Sequence, residues 1–210
     1  MTAGLFITFE GGEGTGKSTQ MRRLAQWFQD RGREVVETRE PGGTPIAEAI
    51  RAILLDPDLE PDGVTEVFLL EAARRDHVAR LIRPALSRGA VVLCDRFADS
   101  STVYQGLVRG LGASVVRQLN ALATEGLEPD LTVLFDMDPD RSLHRARGRN
   151  NEEGEQSRLD NEPLDFHRRV RAAFLSLARS LPDRFRVVDG VGTQDEVFKR
   201  VLSAMPDGCV

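Results

Sequence analysis

The sequence predicts an α/β fold, a five-stranded parallel sheet flanked by helices. Three observations carry that prediction. Short apolar runs alternate with longer segments of helical periodicity along the whole chain. The runs are apolar at consecutive positions, as strands covered on both faces require. A glycine-rich loop joins the first run directly to the first amphipathic helix.

The elements follow in order. Leu5-Phe6-Ile7-Thr8-Phe9 reads as a buried strand stopped by glycines. Met21, Leu24, Ala25 and Phe28 then recur at helical spacing, with Arg22, Arg23, Gln26 and Gln29 between them, and Gly32 ends the helix. Glu34–Thr38 is the second strand, and Pro41-Gly42-Gly43 forces a loop after it. Residues 44–55 are expected to be helical, and Pro57 and Pro61 break the chain. A long helical region runs from Val64 to Ser87, with Pro84 kinking it or starting a new turn. Ala90–Cys94 is the third strand and Leu131–Phe135 the fourth, with a helix over 112–125 between them. A helix follows Pro139, and residues 148–157, which hold no apolar side chain, read as a mobile loop. Val170, Ala173, Phe174, Leu177, Ala178 and Leu181 mark another helix, Phe185–Val188 the fifth strand, and Thr193 with Glu196 a capping box opening the last helix. No long linker divides the chain, so one domain over 1–210 is expected, with a lid-like insertion near 148–160.

Composition narrows the function classes. The chain has 210 residues, 29% charged and 40% hydrophobic, which suits a globular domain rather than a disordered one. The net charge of −5 and pI near 5.4 leave no global basic field for nucleic acid. No apolar stretch approaches the ~18 residues of a membrane span. The N-terminus lacks signal-peptide regions, and Cys94 and Cys209 have no disulfide or zinc spacing, so a cytoplasmic protein is expected. His77, His144 and His167 also lack ligand spacing and read as surface or helix-face residues. Asp136, Asp138 and Asp140 read as acidic caps near the fourth strand.

Gly11-Gly12-Glu13-Gly14-Thr15-Gly16-Lys17-Ser18 fits G-x-x-x-x-G-K-[ST] between a strand and a helix. Glycines let consecutive backbone N–H groups turn around a phosphate, and the helix N-terminus adds a positive dipole end. Lys17 brings a full charge to the β/γ-phosphates, and the Ser18 hydroxyl suits Mg²⁺. ATP-phosphate binding is therefore expected over Gly11–Thr19. Lys17 and Lys199 are the only lysines among 28 basic residues, which makes Lys17 the more informative. No Asn-Lys-x-Asp element for reading guanine occurs.

The third strand ends in Asp95-Arg96-Phe97. An acid at the carboxyl end of a parallel strand lies on the ligand side of such a sheet. Asp95 is thus a second candidate for Mg²⁺, and Arg96 points to a second anion. The segment Asp99–Gln105 that follows offers hydroxyls, an amide and Tyr104, the single tyrosine of the chain.

With Thr38-Arg39-Glu40-Pro41-Gly42-Gly43 and Asp95–Gly106 added to the glycine loop, the sequence resembles the thymidylate kinase family over nearly its whole length. The resemblance implies a P-loop nucleoside monophosphate kinase fold and transfer of the γ-phosphoryl of ATP to dTMP, giving dTDP and ADP with Mg²⁺. It implies that Arg96 binds the dTMP phosphate and that Glu13 lies near the sugar 3′-hydroxyl and the reacting phosphates. Glu40, Pro41, Arg74, Ser101, Tyr104 and Gln105 would line the acceptor site, with Arg74, Ser101 and Gln105 at the base and Tyr104 against the sugar 2′ position. Leu70 stands where the family carries the ring that stacks on thymine, with Phe68 as a possible substitute. The P-loop holds no arginine, which resembles the bacterial class with catalytic lid arginines. Arg147, Arg149 and Arg158 fill that role here, supplying positioned cations to an anionic transferring group. A homodimer is also implied. Two alternatives stay open: a small kinase with another acceptor, and a nucleotide-binding sensor without transfer.

Overall fold

The computed structural model describes residues 3–153 and 162–205, with the side chains of 147–153 left aside. Strands β1 (Leu5–Gly11), β2 (Val35–Arg39), β3 (Val91–Asp95), β4 (Leu131–Asp136) and β5 (Phe185–Asp189) form one parallel sheet in the order β2-β3-β1-β4-β5. The register aligns Phe9 with Asp95 on one side of β1 and with Val133 on the other. The expected α/β architecture and all five strands are present, each within two residues of its expected bounds.

Side chains alternate across the sheet. Ile7, Phe9, Leu93 and Val133 face α1 (Lys17–Gln29) and α9 (Gln194–Ser203), where Leu24, Phe28 and Val201 complete one core. Phe6, Val92 and Cys94 pack on the opposite face against Val78, Ile82, Ala85 and Phe97. Leu134 and Phe185 pack on that face against Phe166, Val170 and Phe174 of α8 (Leu164–Ser180). Helix α2 (Pro45–Leu55) is capped by Thr44, whose hydroxyl accepts from Ala47 N, and the capping box of Thr193 and Glu196 is formed.

Three helical segments differ from expectation. The region expected as one long helix comprises α3 (Gly63–His77), a π-helical stretch Val78–Ile82 and α4 (Arg83–Ser87). Pro84 falls in the first turn of α4, where its missing N–H costs least. Residues after Arg96 carry no apolar periodicity, yet α5 (Ala98–Ser101) and the π-helical Thr102–Val108 occupy them, ahead of α6 (Ala113–Thr124). Helix α7 (Pro139–Glu153) extends through residues 148–153, which were expected to be loop. That segment lacks an apolar face but also lacks proline, and arginine and glutamate favour helix. The remainder of the expected lid, 154–160, lies outside the described residues.

Candidate active site

The site forms at the carboxyl ends of β1 and β3. Gly16 caps α1 with a φ of 97°, a left-handed conformation that costs glycine little. This starts α1 at Lys17 and aims its first N–H groups at the loop. Lys17 is buried, and its ammonium donates to Gly12 O at 2.9 Å and Gly11 O at 3.3 Å. Burial pulls its pKa down from the usual 10.5, as does Arg96; Glu13, Asp95 and Glu10 oppose that shift. Thr15 Oγ1 donates to Gly12 O, bracing the turn. Thr19 lies in the first turn of α1. The loop is also enclosed from outside. A Cβ at Gly14 would overlap the Ser142 carbonyl of α7, and a Cβ at Gly190 would lie 3.0 Å from Thr15 O. Arg145 of α7 reaches Gly190 O at 3.4 Å.

Ser18 Oγ donates to Asp95 Oδ2 at 2.6 Å, so the two expected metal-binding oxygens meet beside Lys17. Among the described residues no group of three His, Cys, Asp or Glu side chains is placed to hold a metal. A hydroxyl and a carboxylate next to a phosphate cradle nonetheless suit Mg²⁺, which takes few protein ligands and completes its shell with phosphate and water.

Arg96 adopts φ 70°, a strained conformation for a residue with a side chain. The strain turns its guanidinium between two partners, Glu13 Oε1 at 2.5 Å and Ser100 Oγ at 3.1 Å. Burial opposes its charge, but Glu13, Tyr104, Glu10 and Asp95 together hold it protonated well above the usual range. Arg96 thus joins the phosphate loop to an adjoining cavity. That cavity is lined by Glu40, Pro41, Leu70, Arg74, Arg96, Phe97, Ser100, Ser101, Tyr104 and Gln105, so every expected acceptor-site residue is there. Phe68 is 59% exposed and is not part of the lining. The rings that line the cavity are Phe97 and Tyr104.

Arg74 is almost wholly buried. It donates Nε to Glu40 at 2.8 Å, Nη1 to Glu71 and Asn120 at 2.6 Å each, and Nη2 to Ser101 Oγ at 2.9 Å. Four of its five N–H groups are thereby committed. Burial opposes its charge, while Glu40 and Glu71 hold it protonated above its usual range. Gln105 gives one of its two amide N–H groups to Glu66 at 2.6 Å, which leaves its carbonyl and one N–H to offer. Tyr104 OH is buried beside Arg96; burial pushes its pKa up to about 12, against the pull of that guanidinium.

Sequence reasoning missed several contributors. His77 was expected on a surface or helix face; it is fully buried and bonds Thr38 Oγ1 at 2.7 Å and Glu40 Oε1 at 3.0 Å, fixing the loop after β2. His167 is also buried, facing a second cavity beside Gly12 and Glu13, whereas His144 is exposed as expected. Asp136 does not cap a helix; it holds Arg171 through two hydrogen bonds of 2.6 and 2.9 Å. Glu10, the single charge in β1, is fully buried against Phe97 and Ser100. An acid closing an otherwise uncharged buried strand was the available signal for it. Of the expected lid arginines, Arg147 and Arg149 lie on the backbone of α7, with side chains outside the described set, and Arg158 lies outside the described residues.

The comparisons agree with this geometry. The profile of the family described as Thymidylate kinase matches residues 9–201. Thymidylate kinase of Syntrophotalea carbinolica is 51% identical over 201 residues, covering 93% of this chain and 92% of its own. That of Desulfosudis oleivorans is 48% identical over 207 residues, with 96% of each chain covered. The crystal structure of thymidylate kinase from Ehrlichia chaffeensis superposes with a TM-score of 0.76 at 33% identity, over 96% of this chain and 98% of that one. With a profile match across most of its length and near-full-length relatives at about half identity, the chain belongs to the thymidylate kinase family.

Proposed function

We propose that this protein transfers the γ-phosphoryl group of ATP to dTMP, releasing dTDP and ADP, on a single domain of residues 1–210 with a lid near 148–160. The observation that carries the reading is Arg96, which stands between the phosphate loop and an adjoining cavity lined by Arg74, Ser101, Tyr104 and Gln105. A dTMP phosphate held by Arg96 attacks the γ-phosphorus in line, and the bond from that phosphorus to the β-phosphate bridging oxygen breaks with ADP as leaving group. The Gly11–Thr19 loop amides and Lys17 hold the ATP phosphates. Glu13 steers Arg96 and the sugar end of the acceptor. Arg147, Arg149 and Arg158 supply the lid cations. Mg²⁺, held by Ser18 and Asp95, would neutralise the β- and γ-phosphate oxygens.

The cavity also supports thymine as the base. Arg74 retains one donor N–H, and Gln105 retains an acceptor carbonyl. Thymine offers a 4-carbonyl acceptor to Arg74 and an N3–H donor to Gln105, which match; the 4-amino group of cytosine would meet the Arg74 donor instead. The family resemblance implies that Tyr104 lies against the sugar 2′ position, where a ribose hydroxyl would crowd it, which favours the deoxy sugar. Titration calorimetry of the protein with dTMP, dUMP, dCMP and TMP ribonucleotide tests this. Binding is expected to be tightest for dTMP and lost for dCMP; equal affinity for dCMP would overturn the base assignment.

A homodimer goes with this reading. Ile53 on α2, Phe68 on α3 and Leu122 on α6 are exposed apolar side chains on packed neighbouring helices, and burial in a second copy would remove them from water. Sedimentation at micromolar concentration should report twice the chain mass; a monomer would contradict the dimer. No described helix is long and apolar enough to cross a membrane. A cytoplasmic location, where both nucleotides are available, completes the proposal.

A further inference from the structure

We infer that Glu10 is a positioning residue for the acceptor phosphate: it caps helix α5 in trans and, through the Ser100 hydroxyl, directs the guanidinium of Arg96. The proposal rests on the reading of Arg96 as the acceptor-phosphate ligand.

The geometry comes from three elements. Helix α5 has Phe97 at its N-cap, a residue with no side-chain oxygen to satisfy the free N–H groups of the first turn. Glu10 supplies that oxygen from the end of β1. Its Oε1 accepts from Phe97 N at 2.9 Å and Ser100 N at 3.3 Å, the N-cap and N3 amides. These are amides that a local capping box would have shared out. Glu10 Oε2 accepts from Ser100 Oγ at 2.6 Å. The single hydroxyl proton of Ser100 is therefore committed to Glu10, and its oxygen turns lone pairs toward Arg96 Nη1 at 3.1 Å. A carboxylate at this position fixes the sense of the whole relay.

The relay serves Arg96 in a particular way. Its Nη2 is tied to Glu13 and its Nη1 to Ser100, so the plane of the guanidinium is set by two anchors 83 and 4 residues away. Asp99, the neighbour of Ser100, is clamped by Arg184 at 2.6 and 3.0 Å, which holds the same turn from the other side. The helix so fixed also carries Ser101 and, in its π-helical continuation, Tyr104 and Gln105. A buried carboxylate is costly and needs full pairing, and all three of its donors belong to the segment that lines the acceptor cavity.

The test is steady-state kinetics at pH 8 on Glu10→Gln, Ser100→Ala, the double variant, and Arg96→Ala as reference. Glutamine keeps the size of Glu10 but presents a donor to Ser100 Oγ, freeing the hydroxyl proton and reversing the relay. Each single variant should raise the KM for dTMP about tenfold, the scale of one misdirected hydrogen bond to a charged group. The KM for ATP should stay within about twofold, because the phosphate loop is untouched. The double variant should be no worse than the poorer single one, since both cut the same relay. Ser100→Ala retains both backbone bonds to Glu10, so it reports on the relay even where Glu10→Gln fails to fold. A folded Ser100→Ala with unchanged dTMP KM overturns the proposal, as does an equal rise in both KM values. If Arg96→Ala itself leaves dTMP binding intact, the reading of Arg96 fails instead.

Discussion

Lys17 and Arg74 are buried cations with opposite electrostatic settings, and their substitutions should fail differently. Lys17 rests on two carbonyls and has its charge disfavoured by burial, so it gains most when phosphates arrive. Lys17→Ala should keep the fold and melting temperature within a few degrees while losing at least about 100-fold in turnover, the usual scale for removing such electrostatic stabilisation. Near-normal turnover would sink the assigned role. Arg74 is also a structural tie, and Arg74→Met leaves Glu71 buried without its cation and Glu40 with only His77. A loss of about 3–5 kcal/mol in denaturant unfolding is expected; an unchanged midpoint would contradict it. Glu10 adds a pH signature. Burial, and then Asp99, push it up to about 7 from 4.5, against Arg96 and the hydrogen bonds from Ser100 and Phe97; Arg184 faces the same cluster through Asp99. The folded protein holds this proton more tightly than the unfolded chain. Its stabilising contribution is full below about 4.5 and is lost as pH rises through 7. In melting curves from pH 5 to 8 the parent protein should lose ground to Glu10→Gln; parallel curves would refute the shift. At this scale the sequence showed the residues whose type and spacing form a motif, such as Lys17, Ser18 and Asp95. It did not show Glu10, His77 or Asn120, whose partners lie far along the chain and are chosen by packing.

The elements fall into two groups. Strands and amphipathic helices were legible because burial writes a period into the sequence, and their observed bounds differ from expectation by a few residues. The segment Ala98–Val108 was not legible as helix, because it packs polar and small residues against the acceptor cavity and its cap comes from β1. Helix α7 also outruns the apolar pattern, and nearer its start its contact with the phosphate loop is made by backbone, at Gly14 against Ser142 and Ala146. Glycine at position 14 is thus required by the approach of α7 as well as by its own φ of 70°. Gly14→Ala should displace α7 from the loop, lowering kcat by about tenfold or more while costing ~1–3 kcal/mol of stability. Unchanged kcat and stability would show that α7 yields freely.

The whole molecule explains why distant motifs converge. With β1 in the centre and β3 beside it, the phosphate loop and Asp95-Arg96 emerge together at the carboxyl ends of adjacent strands. The loop after β2 joins them through Glu40 N, which donates to Asp95 O at 3.0 Å. Helix α3 contributes Arg74 from the face opposite α1. The alternation of strands and helices predicted such an arrangement, but strand order, and hence which loops meet, came from the structure. The central claim is that this assembly passes a phosphoryl group from ATP to dTMP. The most direct measurement is ADP release from Mg·ATP with each common nucleoside monophosphate, ribo and deoxy, as acceptor. The account predicts a rate that rises steeply with dTMP, weakly with dUMP and hardly with the others, with dTDP formed in equal amount to ADP. ATP binding with no acceptor-dependent ADP release, or a preferred acceptor other than dTMP, would contradict it.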